Sequence, residues 1–169
     1  YFDARFKLTR IQDSLVAAGQ EKELDREAFA RMVVAFVQDI PYQYVLSDGC
    51  EGKGGLYNPY VKWGIYSPLE FLYSLRGDCD TRTVLLYTLL KNFGYSPVII
   101  NSVEYKHSML ALDLPSSGDD FLYKGRRYAY WETTNVGWLP GMLPPDMNNK
   151  NYWQVVIDYE YQDKPARIN

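Results

Sequence analysis

The chain has 169 residues, of which 47% are hydrophobic and 23% charged, and this mixture excludes both intrinsic disorder and collagen-like repetition. Its net charge of −3, without any basic block, gives no electrostatic reason to expect nucleic acid or an anionic membrane surface as a partner. No stretch approaches the roughly 20 apolar residues that a membrane span requires. The length suits a single domain, residues 1–169, with a substantial core.

The chain begins at Tyr1 and shows neither the n-region nor the h-region of a signal peptide. We therefore expect a domain that was excised or processed from a longer chain. Two cysteines, Cys50 and Cys79, make a poor disulfide framework for a chain of this length. A single bridge between them is an alternative, and the function inferred below requires that it does not form.

Two helices are predicted before residue 41. Apolar residues recur at i, i+3, i+4 and i+7 between Phe29 and Ile40, which is typical of an amphipathic helix, and Pro41 cannot continue it. A shorter helix is predicted around residues 11–18, with Gly19 as its stop.

A long loop is predicted in "SDGCEGKGGLYNP", residues 47–59, because five of its thirteen residues are glycine or proline and no hydrophobic period runs through it. Long ordered loops in compact domains often bind ligands. The 16 tyrosines and four tryptophans of the chain suit a cleft with aromatic walls, although buried tyrosines with bonded hydroxyls are commoner. The predicted cleft residues are Tyr57, Tyr60, Trp63, Tyr66 and Trp138.

A buried helix is predicted from Asp78 to Phe93, because apolar residues lie nearly all round it and Gly94 follows. Asp78 is a good N-cap residue and places Cys79 in the first turn. Unpaired backbone N–H groups and the positive end of the helix macrodipole favour an anion there. A lone cysteine in an apolar helix is usually core filling, but this position, beside the charged Asp80, favours a nucleophile.

The hydrophobic period then changes from helix to strand. Antiparallel strands are predicted in "SPVIIN", "KHSMLALDL" and "RRYAYWETT", and a final strand in "YWQVVIDYEY" with alternate residues from Trp153 to Tyr159 facing inward. The segment "PSSGDDFLYKG" is predicted to be a hairpin connection with a loose tip. Helices first and strands afterwards are typical of the α+β class.

Pairing of adjacent strands is expected to bring the only histidine, His107, across from Glu132. A carboxylate beside an imidazole fixes its tautomer and stabilises its protonated form. Asp113 is an alternative partner, but it lies on the strand of His107, six positions away. The competing structural interpretations are a strand histidine with satisfied hydrogen bonds and a Glu132 that caps a turn through Thr133 and Thr134.

Two segments, "GDCDTRTVLLYTLLKNFGYSPVII" and "GRRYAYWETTNVGW", with a histidine opening the strand between them, resemble the core of transglutaminase-like domains. These form a branch of the papain-like cysteine enzymes and occur in many bacterial proteins, including transglutaminase-like cysteine proteinases. The resemblance covers roughly residues 30–140. It implies a papain-like α+β fold with a buried nucleophile helix on an antiparallel sheet, and it implies Cys79 as nucleophile, His107 as base and Glu132 as the residue that orients it.

Many bacterial proteinase-like members have two acidic residues after the cysteine, and some of these hold calcium. Here Asp80 is followed by Thr81. We therefore expect no cofactor and no metal, with calcium the one ion that the resemblance leaves open. The sequence also contains no structural zinc spacing.

The expected chemistry is attack of the Cys79 thiolate on an amide carbonyl, after which His107 protonates the departing amine and an acyl-enzyme remains. In the wider superfamily, a side chain upstream of the nucleophile helps to hold the oxyanion, and Gln43 in "IPYQYV" is the candidate. Trp63, Tyr66 and the backbone N–H of the cysteine are alternative donors.

Hydrolysis by a cysteine peptidase or amidase is the predicted function, because the sequence shows nothing arranged to let an amine outcompete water. The alternatives are a protein-glutamine transglutaminase or deamidase, a catalytically silent module that binds peptide or glycan, and a disulfide-bridged envelope scaffold. The expected partner is a protein or peptide substrate. The bacterial members favour a cell-envelope or periplasmic location, and the oligomeric state does not follow from the sequence.

Overall fold

The computed structural model describes residues 2–46, 56–57 and 61–158. The helices are α1 (Phe2–Glu21), α2 (Arg26–Gln38), α3 (Pro68–Ser74) and α4 (Cys79–Asn92). The strands are β1 (Val45–Leu46), β2 (Leu56–Tyr57), β3 (Pro97–Ser102), β4 (His107–Leu112), β5 (Asp120–Tyr123), β6 (Arg126–Trp131) and β7 (Gln154–Ile157). Short 3₁₀ turns lie at Lys62–Gly64, Pro145–Met147 and Lys150–Tyr152. This order of elements confirms the α+β class.

Strands β3 to β7 form one antiparallel sheet in the order β5-β6-β4-β3-β7. The separate pair β1 and β2 is parallel. All six residues of the central strand β4 are buried, and α4 packs across β4 and β3. The predicted pairing of the strands of His107 and Glu132 is confirmed, since β4 and β6 are neighbours with Leu110 opposite Trp131.

The two faces of the sheet carry two apolar cores, as the alternation along a strand requires. Leu110 and Leu112 face the helices, together with the buried leucines of α4. Met109 and Ala111 face the other side, where they meet an aromatic cluster that includes Trp153. The burial of α4 on nearly all sides agrees with its predicted character.

The predicted loose connection before β6 contains a strand that the sequence pattern did not indicate. Strand β5 joins β6 through Lys124 and Gly125, whose φ angles of 47° and 77° are the left-handed pair of a tight hairpin turn. Residues of an edge strand are only partly covered, so β5 lacks the hydrophobic alternation that would have marked it.

The final strand is shorter and less buried than predicted. Trp153 is buried and Val155 half-buried, but Ile157 is 44% exposed because β7 lies at the edge of the sheet. Tyr159, the last of the residues predicted to face inward, lies outside the described residues.

Helix α1 runs through Gly19 instead of ending before it. A Cβ at this position would come within 2.5 Å of the ring of Phe29 on α2. The glycine therefore allows close packing of α1 against α2, and the helix continues to Glu21. The amphipathic helix α2 is confirmed, with Asp25 as its N-cap through a 2.8 Å bond from the backbone N–H of Ala28.

Candidate active site

Cys79 is the first residue of α4, as predicted from its neighbour Asp78. One carboxylate oxygen of Asp78 accepts from the backbone N–H of Thr81 at 3.2 Å, and the other accepts from that of Val45 at 3.2 Å. Cys79 is a free thiol and is 7% exposed. Cys50, the partner in the alternative bridge, lies outside the described residues.

The chain enters α4 through a position where only glycine fits. A Cβ on Gly77 would lie 2.8 Å from the ring of Phe71 on α3 and 2.8 Å from the methyl group of Thr81. Phe71 is completely buried, so it cannot easily move aside. Gly77 thus fixes how closely the start of α4 approaches α3.

His107, the first residue of β4, lies between Cys79 and Glu132. Its Nε2 is 3.0 Å from Oε2 and 3.3 Å from Oε1 of the carboxylate. The Cys79 thiol lies near the ring and contributes to the raised pKa of His107. Because Nε2 faces the carboxylate, Nδ1 is the nitrogen that is available to the sulfur. The structure therefore brings together the three side chains that the sequence proposed as a triad.

Polar bonds hold the first turns of α4 against the start of β4. The Ser108 hydroxyl donates to Asp80, and it accepts from the side-chain amide of Asn101 at 2.9 Å. The Thr83 hydroxyl donates to the backbone carbonyl of Ser108 at 3.4 Å. Since Ser108 follows the histidine and Asp80 follows the cysteine, these bonds set the spacing between the thiol and the imidazole.

Glu132 serves both of the roles that the sequence left open. Its Oε1 accepts from the backbone N–H groups of Thr133 and Thr134, both at 2.8 Å, and from the Thr134 hydroxyl at 2.7 Å. Its Oε2 is the closer partner of His107. The turn therefore anchors the carboxylate that orients the imidazole. Asp113, the alternative partner, instead forms a surface ion pair with Arg126 at 3.3 Å.

The charged forms of His107 and Glu132 stabilise one another. Burial opposes the charged form of His107, but hydrogen bonds with Cys79 and Glu132 outweigh it and raise the pKa of the imidazole to about 10. Burial also disfavours the Glu132 carboxylate, yet the bond and charge of His107, followed by Thr134, hold its pKa below the usual value. At neutral pH the site therefore contains an imidazolium bonded to a carboxylate.

The sequence analysis missed Arg82, which is completely buried one turn beyond the cysteine. Burial lowers its pKa, and the surrounding acidic groups partly offset this, so the guanidinium stays charged. It donates to four backbone carbonyls, namely those of Val37 (2.9 Å), Thr133 (3.3 Å), Gly77 (3.2 Å) and Ile40. One arginine thereby joins the end of α2, the entry to α4 and the turn after β6. An arginine within a helix that was predicted to be buried was the only indication in the sequence.

Gln43, the predicted oxyanion donor, has its side-chain oxygen near Arg76, which donates to it at 3.4 Å. Its role stays a prediction. The neighbouring residue, Tyr42, pairs with Gly77 just before α4, and its ring centroid lies 5.5 Å from the Arg82 guanidinium.

Three of the predicted cleft residues, Trp63, Tyr66 and Trp138, are described, and they lie in different surroundings. Tyr66 is buried in the helical core, and Trp63 is 85% exposed on a 3₁₀ turn. Trp138 is half-buried and lines a cavity of about 260 Å³ beside α2. Tyr60 and the side chain of Tyr57 lie outside the described residues.

An aromatic groove lies next to His107, on the face of the sheet opposite the helices. Trp153 packs edge-on against His107, with ring centroids 6.1 Å apart. The same tryptophan lines a groove of about 480 Å³ together with Phe121, Tyr130 and Val155. Sequence reasoning placed Trp153 in a strand but did not connect it with the site.

Within residues 2–46, 56–57 and 61–158, no group of three or more His, Cys, Asp or Glu side chains is arranged to hold a metal ion. The expected absence of a cofactor stays a prediction, as does the calcium alternative. In the same part of the chain, each helix is too short or too polar to cross a membrane. Comparison of the chain with protein-family models, with curated proteins and with solved structures gives no match.

Proposed function

We propose that this chain is a thiol-dependent amidase or peptidase of the transglutaminase-like, papain-like type. One observation carries the proposal: the imidazole of His107 lies between a free thiol at a helix start and a buried carboxylate that three further donors hold in place. Burying ionisable groups is costly, so such clusters occur mostly where chemistry requires them.

In the proposed reaction, the Cys79 thiolate attacks the carbonyl carbon of an amide, a C–S bond forms and the π electrons move to the oxygen. When this oxyanion collapses, the C–N bond breaks and the amine leaves with the proton of His107. The product is a thioester. The oxygen of a water molecule then attacks the thioester carbon, while the water gives a proton to His107. The C–S bond breaks, the carboxylic acid leaves, and the thiolate–imidazolium pair is regenerated.

Water is the acceptor in this proposal because crosslinking requires an amine that outcompetes water at the thioester. A transglutaminase would differ in this second step alone. Peptides that contain glutamine and lysine, analysed by mass spectrometry, separate the outcomes: cleavage or deamidation indicates hydrolysis, whereas joined peptides indicate amine transfer.

We expect the rate constant for alkylation of Cys79 by iodoacetamide to change less than about 3-fold between pH 8 and pH 6. An ordinary thiol loses roughly 80-fold over that interval because its ionised fraction falls. The difference arises because His107, with its pKa of about 10, stays protonated at both pH values, so the positive charge beside the sulfur is the same at both. Peptide mass mapping of the alkylated protein measures the rate at Cys79 alone.

Glutathione under the same conditions serves as the reference thiol, and Cys79→Ser shows that the adduct is correctly assigned. Serine should also abolish cleavage of any peptide that the native protein cleaves. If the alkylation rate of Cys79 falls in parallel with that of glutathione as the pH is lowered, the proposed chemistry loses its basis.

A further inference from the structure

Thr83 lies one turn after Cys79 on α4 and is completely buried. Its hydroxyl donates to the backbone carbonyl of Ser108 at 3.4 Å, and the same oxygen lies 3.4 Å from the hydroxyl of Thr133. A hydroxyl has one proton and a carbonyl can only accept, so the Thr133 hydroxyl is the donor in the second contact. One buried side chain on the helix of the nucleophile therefore bonds with two other segments of the chain.

Both of these segments carry a member of the proposed triad. Ser108 directly follows His107 at the start of β4, and Thr133 directly follows Glu132 at the end of β6. From the helix that carries the nucleophile, Thr83 thus bonds with the neighbour of the base and with the neighbour of the residue that orients the base.

The turn after β6 is held to α4 at two points. Arg82 donates to the backbone carbonyl of Thr133 at 3.3 Å, and the next residue, Thr83, is the partner of the Thr133 hydroxyl. The backbone N–H of Thr133 in turn donates to Oε1 of Glu132 at 2.8 Å. A shift of this turn relative to α4 would therefore move the carboxylate that orients His107.

The bonds of Thr83 lie in a region without solvent. Thr83 and Thr133 are completely buried, and Ser108 is 3% exposed. A hydrogen bond in such a region is electrostatically stronger than in water, and its loss leaves polar groups without a solvent partner. Thr88, on the same helix, differs in that its hydroxyl donates to the carbonyl of Val84 at 2.8 Å, a bond that stays within α4.

We propose that Thr83 is a positioning residue for the triad: its hydroxyl keeps the strand of His107 and the turn of Glu132 in place against the start of α4. The imidazole is thereby held beside the thiol. This inference rests on the proposed function and names a residue that maintains its geometry. Thr83 acts through the placement of the triad and not by contact with the substrate.

Thr83→Val removes the hydroxyl and keeps nearly the same side-chain shape. We expect its Cys79 to be alkylated by iodoacetamide at least about 10-fold more slowly at pH 6 than at pH 8, because the displaced imidazolium no longer favours the thiolate. The native rate should change less than about 3-fold over this interval. Measured well below the unfolding transition, this ratio does not respond to a loss of stability alone.

NMR provides a second measurement, because His107 is the only histidine and gives one set of imidazole signals. Its pKa should move in Thr83→Val toward the roughly 6.5 of a free imidazole, since the contacts that favour the charged form weaken.

Thr88→Val is the matched control, because it makes the same change on the same helix and removes only a bond within α4. Thr83→Ser retains the hydroxyl. Both variants should keep the native alkylation ratio and the native pKa of His107. If Thr83→Val does not fold, Thr83→Ala compared with Thr83→Ser tests the same hydroxyl, since the two variants differ in that group alone.

A folded Thr83→Val protein with the native ratio and the native pKa of His107 would overturn the inference. Thr83→Ser as impaired as Thr83→Val, or Thr83→Ala no different from Thr83→Ser, would overturn it too, because packing of the side chain would then matter and not its hydroxyl. If the native Cys79 already follows glutathione, the proposed function fails and the inference fails with it.

Discussion

Replacing Glu132 with glutamine should lower the rate of acylation at Cys79 by roughly 10,000-fold, the loss seen when a triad carboxylate becomes an amide. The amide oxygen can still accept from the backbone of Thr133 and Thr134, as Oε1 does now. The amide nitrogen then faces Nε2 of His107, where a carboxylate oxygen lies at 3.0 Å. Two donors cannot share that contact, so the imidazole is held in its neutral form and has no proton for the leaving amine.

The same substitution changes the pH dependence of the rate. With the carboxylate present, the pKa of His107 is about 10, well above the roughly 6.5 of a free imidazole. The protonated form is the competent one, so the native rate falls only as the pH rises toward 10. Without the negative charge the pKa drops, and Glu132→Gln should lose its remaining activity as the pH rises through the neutral range. Cleavage of a peptide amide, whose amine must leave with the proton of His107, measures both curves when it is followed from about pH 5.5 to about pH 9.5.

Asp113→Asn is the control for this experiment. It also converts a carboxylate to an amide, at the end of the strand of His107, but Asp113 bonds with Arg126 at the surface. Its acylation rate and pH curve should match those of the native protein within about 2-fold. Similar losses in both variants would show that general electrostatics, and not the contact with the imidazole, governs the rate.

We expect replacement of Arg82 with methionine to lower the free energy of unfolding by about 4 kcal/mol, a large part of the roughly 5–15 kcal/mol that stabilises a typical domain. Methionine fills a similar volume, so the effect reports on the lost hydrogen bonds. The Val37 and Gly77 carbonyls keep backbone donors, the N–H groups of residues 40 (3.2 Å) and 43 (3.1 Å). The carbonyls of Ile40 and Thr133 lose the guanidinium as their donor. A buried acceptor without a partner costs about 1–3 kcal/mol, so two such losses account for the expected change.

Urea unfolding monitored by tryptophan fluorescence measures this change. Arg127→Met provides the comparison, because Arg127 is an exposed residue whose ion pair with Asp120 (3.0 Å) contributes at most about 1 kcal/mol. An Arg82 variant no less stable than the Arg127 variant would mean that water or side chains replace the guanidinium at these carbonyls.

Much of the site could be predicted because its parts follow local rules. Aspartate is a favoured N-cap residue, so Asp78 directly before an apolar helical segment places Cys79 in the first turn. His107 is the first residue of β4, and Glu132 directly follows the last residue of β6. The contact between their side chains depends only on the antiparallel pairing of these two strands. Gly19 shows the limit of such rules, since the same residue type that usually ends a helix here permits close packing.

The sequence by itself determined the α+β class, the position of the thiol at a helix start and the partners of the imidazole. Periodicity, capping and strand pairing depend on residues that are near in the chain or in adjacent strands, so they leave a pattern in the sequence. Only the tertiary structure decided that Arg82 joins carbonyls up to 51 positions away and that Trp153 packs edge-on against His107. Those contacts depend on how whole elements pack, and single residues within them carry no periodic pattern that would reveal their distant partners.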